Sequence, residues 1–360
     1  MLGIIAALSF IIVENTKVNQ EQDYFKEKLR AAELAHKAAV HLKKVQYGDD
    51  EMIDNLNDPN ETGLIGQEFT SITTGKGSLP IKVSTTNPNF AALVVQLLHD
   101  ANLEKGDNVA ICMTGSFPGL NIAALAAIKT LELNPLIICS GTSSTWGATN
   151  PNFTWTDMLL SLNKANIISY QPIANSIGGN QDIGRGLSND GVQHVLNAIK
   201  RSDKPFINGN SLEENINSRI TYFDKNENGN PIKLYINIGG GAASLGSVEN
   251  GKSFKPGLST DIKLIDIPDK LGVLFEMAKR DLPIIHLLHI EKLLKQYDLP
   301  REPFPLPKAG TGSLFAVEKY NLILVSVFTL IIVGLLGGIM YIDKNRNELG
   351  NEIIKDEPEI

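Results

Sequence analysis

Three glycine- and hydroxyl-rich segments carry the residue types that could do chemistry. They are Thr114-Gly115-Ser116-Phe117-Pro118-Gly119, Gly141-Thr142-Ser143-Ser144-Thr145-Trp146-Gly147 and Gly239-Gly240-Gly241-Ala242-Ala243-Ser244. Glycine lets the backbone approach a ligand closely, and free N–H groups and hydroxyls are donors for a carboxylate or phosphate. If the three segments converge, the expected contacts are Thr114, Gly115, Ser116, Ser144, Trp146, Gly239, Gly240, Gly241 and Ser244. Arg185 lies in a further glycine-rich loop, Gly178 to Gly186, expected to be mobile, and its guanidinium could clamp a carboxylate with two parallel bonds. The plainer reading is ordinary strand-to-helix turns and a solvated arginine.

More demanding chemistry finds weaker support. Ser116 is the candidate nucleophile, but a nucleophile elbow needs G-x-S-x-G; position 114 is Thr, and the next glycine, Gly119, is three residues on. A serine nucleophile also needs a base, and His194 and His286 are the only distant candidates. A cap or ligand contact is the favoured role for Ser116. Gly239-x-Gly241 starts like a dinucleotide fingerprint, but Ser244 replaces the third glycine, so no nicotinamide is expected and no other cofactor is implied. Asp224-x-Asn226-x-Asn228-Gly229 mimics half a calcium loop, yet its twelfth position is Tyr235; an Asn-Gly turn fits better. His286-x-x-His289 lacks a third ligand, so no metal is expected.

The pattern of elements must bring these loops together. Helical spacing over Pro88–Ala101, Gly119–Leu131, Thr154–Asn163, Asp190–Arg201 and Ser211–Phe223 alternates with β-rich runs at Asn108–Met113, Leu136–Ser140, Ile167–Tyr170 and Ile232–Ile238. A further helix is expected near Asp269–Arg280, followed by an apolar run from Leu282 to Ile290. This alternation indicates an α/β fold: a Rossmann-like, mostly parallel sheet with helices on both faces. In such a sheet ligands bind at the carboxyl ends of the strands, where all three loops fall. Cys112 and Cys139 end their strands alike. Strands about 4.8 Å apart put a disulfide within reach, with buried free thiols as the default. The pentapeptide Thr-Asn-Pro-Asn-Phe occurs at 86–90 and 149–153. It reads as two capped helix starts or as two donors to a shared ligand.

The ends point to a membrane. Leu322 to Ile342 is 21 residues without a charge, flanked by Tyr320 and Tyr341. About 20 apolar residues cross the hydrocarbon core. Met1–Val13 is apolar but short, has no basic leader and no A-x-A site, and reads as a membrane anchor rather than a cleaved signal. Lys344 and Arg346 follow the second span, against Lys319 before it, which favours a cytoplasmic C-terminus and residues 14–320 outside. The expected organisation is an anchor at 1–13, a stalk helix at 14–47, a linker at 48–84, the α/β domain at 85–300, a linker at 301–320, a transmembrane helix at 321–342 and an acidic tail at 343–360. His36 and His41 would be solvated or half-buried stalk residues.

Composition excludes several function classes. The net charge is −7, and residues 343–360, with three basic and six acidic groups, supply −3 of it. No Lys/Arg run marks a nucleic-acid arm, so nucleic acid is not an expected partner. Two cysteines exclude a disulfide scaffold and a Cys-only zinc site.

Five strings together resemble the bacterial poly-gamma-glutamate system protein family. They are DPNETGLIGQEFT (58–70), STTNPNFAAL (84–93), GSFPGLN (115–121), STWGATNP (144–151) and GGGAASLG (239–246), within residues 20–290. The resemblance implies an accessory membrane protein of poly-gamma-glutamate biosynthesis, export or retention. Its partners would be the synthetase membrane components and the polymer itself. The resemblance carries no catalytic residues with it. The alternatives are a hydrolase or transferase acting on the polymer through Ser116, and a purely structural scaffold for the synthetase complex.

Overall fold

A computed structural model describes residues 2–48, 53–262 and 272–355. In chain order the elements begin with α1 (Leu2–Asn15), β1 (Val18–Glu21), α2 (Phe25–Tyr47), β2 (Thr73–Gly75), α3 (Leu79–Ser84), α4 (Phe90–Asp100), β3 (Asn108–Thr114), α5 (Pro118–Thr130), β4 (Asn134–Ser140) and β5 (Ser143–Ser144). Then come α6 (Trp155–Lys164), β6 (Ala174–Ser176), α7 (Asn189–Ser202), β7 (Phe206–Ile207), α8 (Leu212–Lys225), β8 (Ile232–Ile238), α9 (Ala242–Leu245) and α10 (Val248–Gly251). The last are β9 (Gly257–Ser259), α11 (Val273–Ala278), β10 (Ile284–Leu287), α12 (Ile290–Gln296), β11 (Ala316–Lys319) and α13 (Leu322–Lys355). The chain divides into two compact units: Asp23–Phe315, and the two ends that flank it.

The larger unit is a mixed α/β structure around a seven-stranded sheet of order β7-β6-β4-β3-β8-β10-β9. Every neighbouring pair is parallel except β10 with β9. The chain moves outward in one direction through β3, β4, β6 and β7, then returns to place β8 on the other side of β3. The strand order therefore reverses between β3 and β8, which is where open parallel sheets form a crevice. Strands β3, β4 and β8 read as continuous apolar runs because helices cover both faces. Helices α2, α4, α5, α6 and α12 bury one face, with Val109, Ile111 and Met113 pointing into it. Helices α8, α9 and α11 bury the other, with Ala110 and Cys112.

Alternation within a strand separates the two cysteines. Cys112 stands opposite Ile138, and Cys139 opposite Met113. A one-residue offset sends their side chains to opposite faces, so both remain buried free thiols.

Two expected boundaries change. The helix expected as a stalk begins only at Phe25, after β1, and packs against α4 and α5. Ala31, Ala32, Ala35, Ala38 and Leu42 make its buried stripe. Small side chains let it lie close to its neighbours. Tyr24 stacks on His99 at 3.6 Å between ring centroids, and His99 meets Glu27 at 2.6 Å, which pins the start of α2 to α4. His41 reaches Ser161 on α6 at 3.0 Å. The described part of the expected linker also folds into this unit, where Leu64, Ile65 and Ile72 are buried. The strand expected at Ile167–Tyr170 is irregular chain, and the third strand of the series is β6 instead. Residues 269–271 of the expected helix, and 49–52 and 356–360 of the expected linker and tail, lie outside the described residues.

In the other unit, β1 pairs antiparallel with β11, and α1 lies beside α13. Leu322–Arg346 is long and apolar enough to cross a membrane, and its side chains are unburied. At 14 residues, α1 extends only about 21 Å, short of the roughly 30 Å hydrocarbon core.

The docking of α2 is directly testable. Ala32→Leu should destabilise the full chain in detergent by about 1–3 kcal/mol in chemical denaturation, because a buried alanine has no room to grow. A free stalk would show no change.

Candidate functional site

The carboxyl ends of β3, β4 and β8 open onto a cleft of about 480 Å³. Its walls come from residues 74–77, 114–117, 140–144, 178–180 and 240–242, with Leu288. Thr114, Ser116, Ser144, Gly240 and Gly241 line it together. Gly115 sits just behind, where an added Cβ would lie 3.0 Å from the Thr142 carbonyl oxygen. Gly239 makes the turn out of β8 with φ +84°, and a Cβ there would meet Thr114 Oγ1 at 2.9 Å. Ser244 lies underneath and hydrogen-bonds Tyr235 and Asn237. Trp146 and Arg185 do not line the cleft. Arg185 is exposed and its backbone bridges to Asn180, so the loop has a defined turn structure.

The loops after β3 and β4 are stitched into one platform. Gly115 N–H donates to the Thr142 carbonyl at 3.0 Å, Ser143 Oγ donates to the Gly115 carbonyl at 3.0 Å, and Ala148 N–H donates to the same carbonyl at 2.7 Å. Ser144 N–H donates to Ser116 Oγ at 3.1 Å. The Ser116 hydroxyl is thereby an acceptor for the neighbouring loop.

The segment read as a linker supplies the remaining wall. β2 pairs in parallel with β5, Thr73 opposite Ser143 and Gly75 opposite Ser144. Thr145 N–H donates to the Gly75 carbonyl at 2.9 Å, and Gly77 N–H to Thr145 Oγ1 at 2.6 Å. This zipper delivers α3, started by Pro80, to the base of the cleft. Lys82 on α3 is 1% exposed. Its Nζ donates to the Ser116 carbonyl, lies 2.8 Å from Ser144 Oγ and sits 4.1 Å from the centre of the Phe117 ring. Burial lowers its pKa to about 7. Gly77 makes the room: a Cβ there would lie 2.8 Å from Lys82 Cε and 3.2 Å from Ser144 Oγ. The sequence offers one signal for Lys82, a lone lysine in the apolar run that follows Gly77-Ser78. Nothing in that pattern says it is buried beneath Ser144.

Charge at the cleft has one sign. Lys76 lines it, Lys82 lies just behind Ser144, and no acidic side chain lines it among the described residues. A carboxylate below the floor is already committed: Asp182 pairs with Arg219 at 2.6 Å and accepts from Ser176 Oγ at 2.9 Å, all buried. Arg219 also donates to Ser176 Oγ at 2.6 Å, and Ser176 bonds Ser140 on the cleft wall.

On the β8 side, Asn237 Nδ2 donates to the Gly239 carbonyl at 2.8 Å and to His286 Nδ1 at 3.0 Å. Burial, and then the charge of His289, lower the His286 pKa to about 4, so this ring is neutral near pH 7. It braces the glycine turn. His194 and His286 both lie outside the cleft lining. Among the described residues, no group of three or more His, Cys, Asp or Glu side chains could hold a metal ion.

The repeated pentapeptide forms the same local turn twice. Asn87 Oδ1 accepts from Asn89 N–H at 3.0 Å, and Asn150 Oδ1 from Asn152 N–H at 2.9 Å. The first copy borders a separate cavity of about 210 Å³ beside α2, and neither copy lines the cleft.

Comparison with protein-family models, with curated proteins and with solved structures finds no match to this chain.

The buried lysine makes stability depend on pH. Its folded pKa of about 7 lies below the unfolded value of 10.5, so between these values the unfolded chain binds more protons. Stability from this group is full above pH 10.5 and is lost as pH falls towards 7. Lys82→Met should therefore flatten the rise in melting temperature of the detergent-solubilised full chain between about pH 7 and 9. An unchanged slope would show that Lys82 stays protonated in the fold.

Proposed function

We propose that this chain is an accessory membrane component of poly-gamma-glutamate biosynthesis, export or retention, and that its Rossmann-like domain binds a carboxylate-bearing end of the polymer. The observation that carries this reading is a cleft at the strand-order reversal, with Lys76 on its wall, Lys82 buried behind Ser144, hydroxyl and glycine loops, and no acidic lining residue among those described. A γ-glutamyl chain end presents carboxylates and amides, and this donor set matches them. The two lysines also provide the local positive charge that the overall composition lacks. The five strings resembling the poly-gamma-glutamate system family support the pathway, and three of them lie in the cleft loops.

The apolar length of Leu322–Arg346 supports membrane attachment. The basic pair Lys344 and Arg346 supports an extracytoplasmic α/β domain. In this position the domain would meet polymer as it leaves the synthetase membrane components, which are the proposed partners.

Two measurements test the reading. Deleting the gene in its own host should change the amount, chain length or cell-bound fraction of poly-gamma-glutamate, and the wild-type gene should restore it. Unchanged pools would remove the pathway assignment. Isothermal titration of the full chain in detergent with penta-γ-glutamate should show binding that weakens from about pH 6 to 8.5, as Lys82 loses its proton. Lys76→Gln should weaken it several-fold further. Binding that is absent, or equal for α-linked pentaglutamate and acetate, would remove the ligand.

A further inference from the structure

We propose that Ser144 and Lys82 form a nucleophile–base pair, which makes the cleft an acyl-transfer site acting on an amide bond. The substrate class, a γ-glutamyl amide, rests on the reading above; the pair itself stands independently of it, on geometry and burial. Ser144 Oγ and Lys82 Nζ are 2.8 Å apart, within reach for proton transfer. Ser144 is half-buried on the cleft wall and open to a ligand, whereas Lys82 is enclosed behind it. A nucleophile facing the ligand and a base shielded from water is the arrangement such chemistry needs.

The surroundings of Lys82 favour a base over a fixed cation. Its contacts are the Ser116 carbonyl, Ser144 Oγ and the Phe117 ring, and none of these is a carboxylate. Burial alone accounts for its lowered pKa, so a large share is free amine at neutral pH. No histidine lines the cleft among the described residues. Lysine therefore replaces histidine as the base, as in the serine–lysine variants of the triad.

The serine is held from both sides. Its N–H is fixed to Ser116 Oγ, and its carbonyl lies 2.7 Å from Ser143 Oγ, whose single proton is shared with the Gly115 carbonyl. Ser116 is thus a positioning residue, and the nucleophile shifts from Ser116 to Ser144. Gly77 leaves the space that both side chains occupy. Across the cleft, Gly240 and Gly241 bring bare backbone to the wall, the kind of surface that supplies N–H donors to a developing oxyanion.

The atoms balance with water or an amine as the only co-reactant. Ser144 Oγ adds to the amide carbonyl carbon while its proton passes to Lys82 Nζ. The C–N bond then breaks, and the leaving amine takes that proton. This leaves an ester on Ser144. Water, for hydrolysis, or a second amine, for transfer, attacks the ester carbonyl and gives a proton to Lys82. Lys82 returns it to Ser144 Oγ as the acid or the new amide departs.

A fluorophosphonate probe tests the pair on the full chain in detergent, with the adduct located by peptide mass spectrometry. The expected result is a single adduct, on Ser144, forming faster as pH rises from about 6 to 8.5. Ser144→Ala should abolish it, and Lys82→Met should slow it about 100-fold or more. Because Lys82→Met could disturb the fold, Ser144→Cys gives a second readout. With Lys82 in place, its thiol should be alkylated by iodoacetamide at a lower pH than the thiol of free cysteine, because the lysine takes its proton.

The pair is overturned if natively folded wild type takes no probe, or if Ser144→Ala is still labelled. It is also overturned if the Ser144→Cys thiol is alkylated with the pH profile of free cysteine. Penta-γ-glutamate separates the two ideas. Protection from labelling supports both. Labelling without protection keeps the pair and removes the substrate class. Peptide binding to an unlabelled wild type keeps the binding reading and removes the pair.

Discussion

An ammonium group removed from water must be hydrogen-bonded, paired with an anion or deprotonated, and Lys82 is where this chain meets that constraint. Among the described residues, no carboxylate contacts its nitrogen. It is accommodated by a backbone carbonyl, a hydroxyl and an aromatic face, together with a lowered proton affinity. Each of those partners belongs to a different segment from the helix that carries the lysine. The β2–β5 zipper, the platform joining the β3 and β4 loops, and the missing side chain at Gly77 all serve to bring them within reach. Without that convergence, the burial of Lys82 would be a large uncompensated cost.

The cleft also shows how a domain of nearly balanced charge can offer one sign locally. Its acidic neighbour Asp182 is neutralised beneath the floor by Arg219, and two serines spread the interaction to the wall. What remains on the cleft wall is lysine, hydroxyl and backbone. On the far side, a neutral histidine and an asparagine hold the glycine turn without adding charge. The site is therefore a shaped, mildly basic surface.

Several features of the chain are local and legible in its amino-acid order. Continuous apolar runs mark β3, β4 and β8, since both faces of a parallel sheet are covered. Period-3.6 spacing marks α4 to α8 within a residue or two, and 21 uncharged residues mark the apolar part of α13. The glycine–hydroxyl loops are visible because strand ends need tight turns. Short strands such as β6 and β7 leave no signal: two or three residues show no period, and only their neighbours pair them.

Contacts between distant segments are decided only by the fold. The alanine stripe of α2 has the same spacing on a stalk as in a core, and docking against α4 and α5 chooses between them. The cysteines look equivalent in sequence, yet sheet register places them on opposite faces. Lys82 lies 62 residues from Ser144, and their 2.8 Å approach depends on a two-residue parallel pairing that no local pattern encodes. Sequence alone determined the longer strands and helices and the glycine turns, because those choices follow from side-chain period and backbone freedom. The tertiary structure decided which side chains meet, because that depends on register and burial.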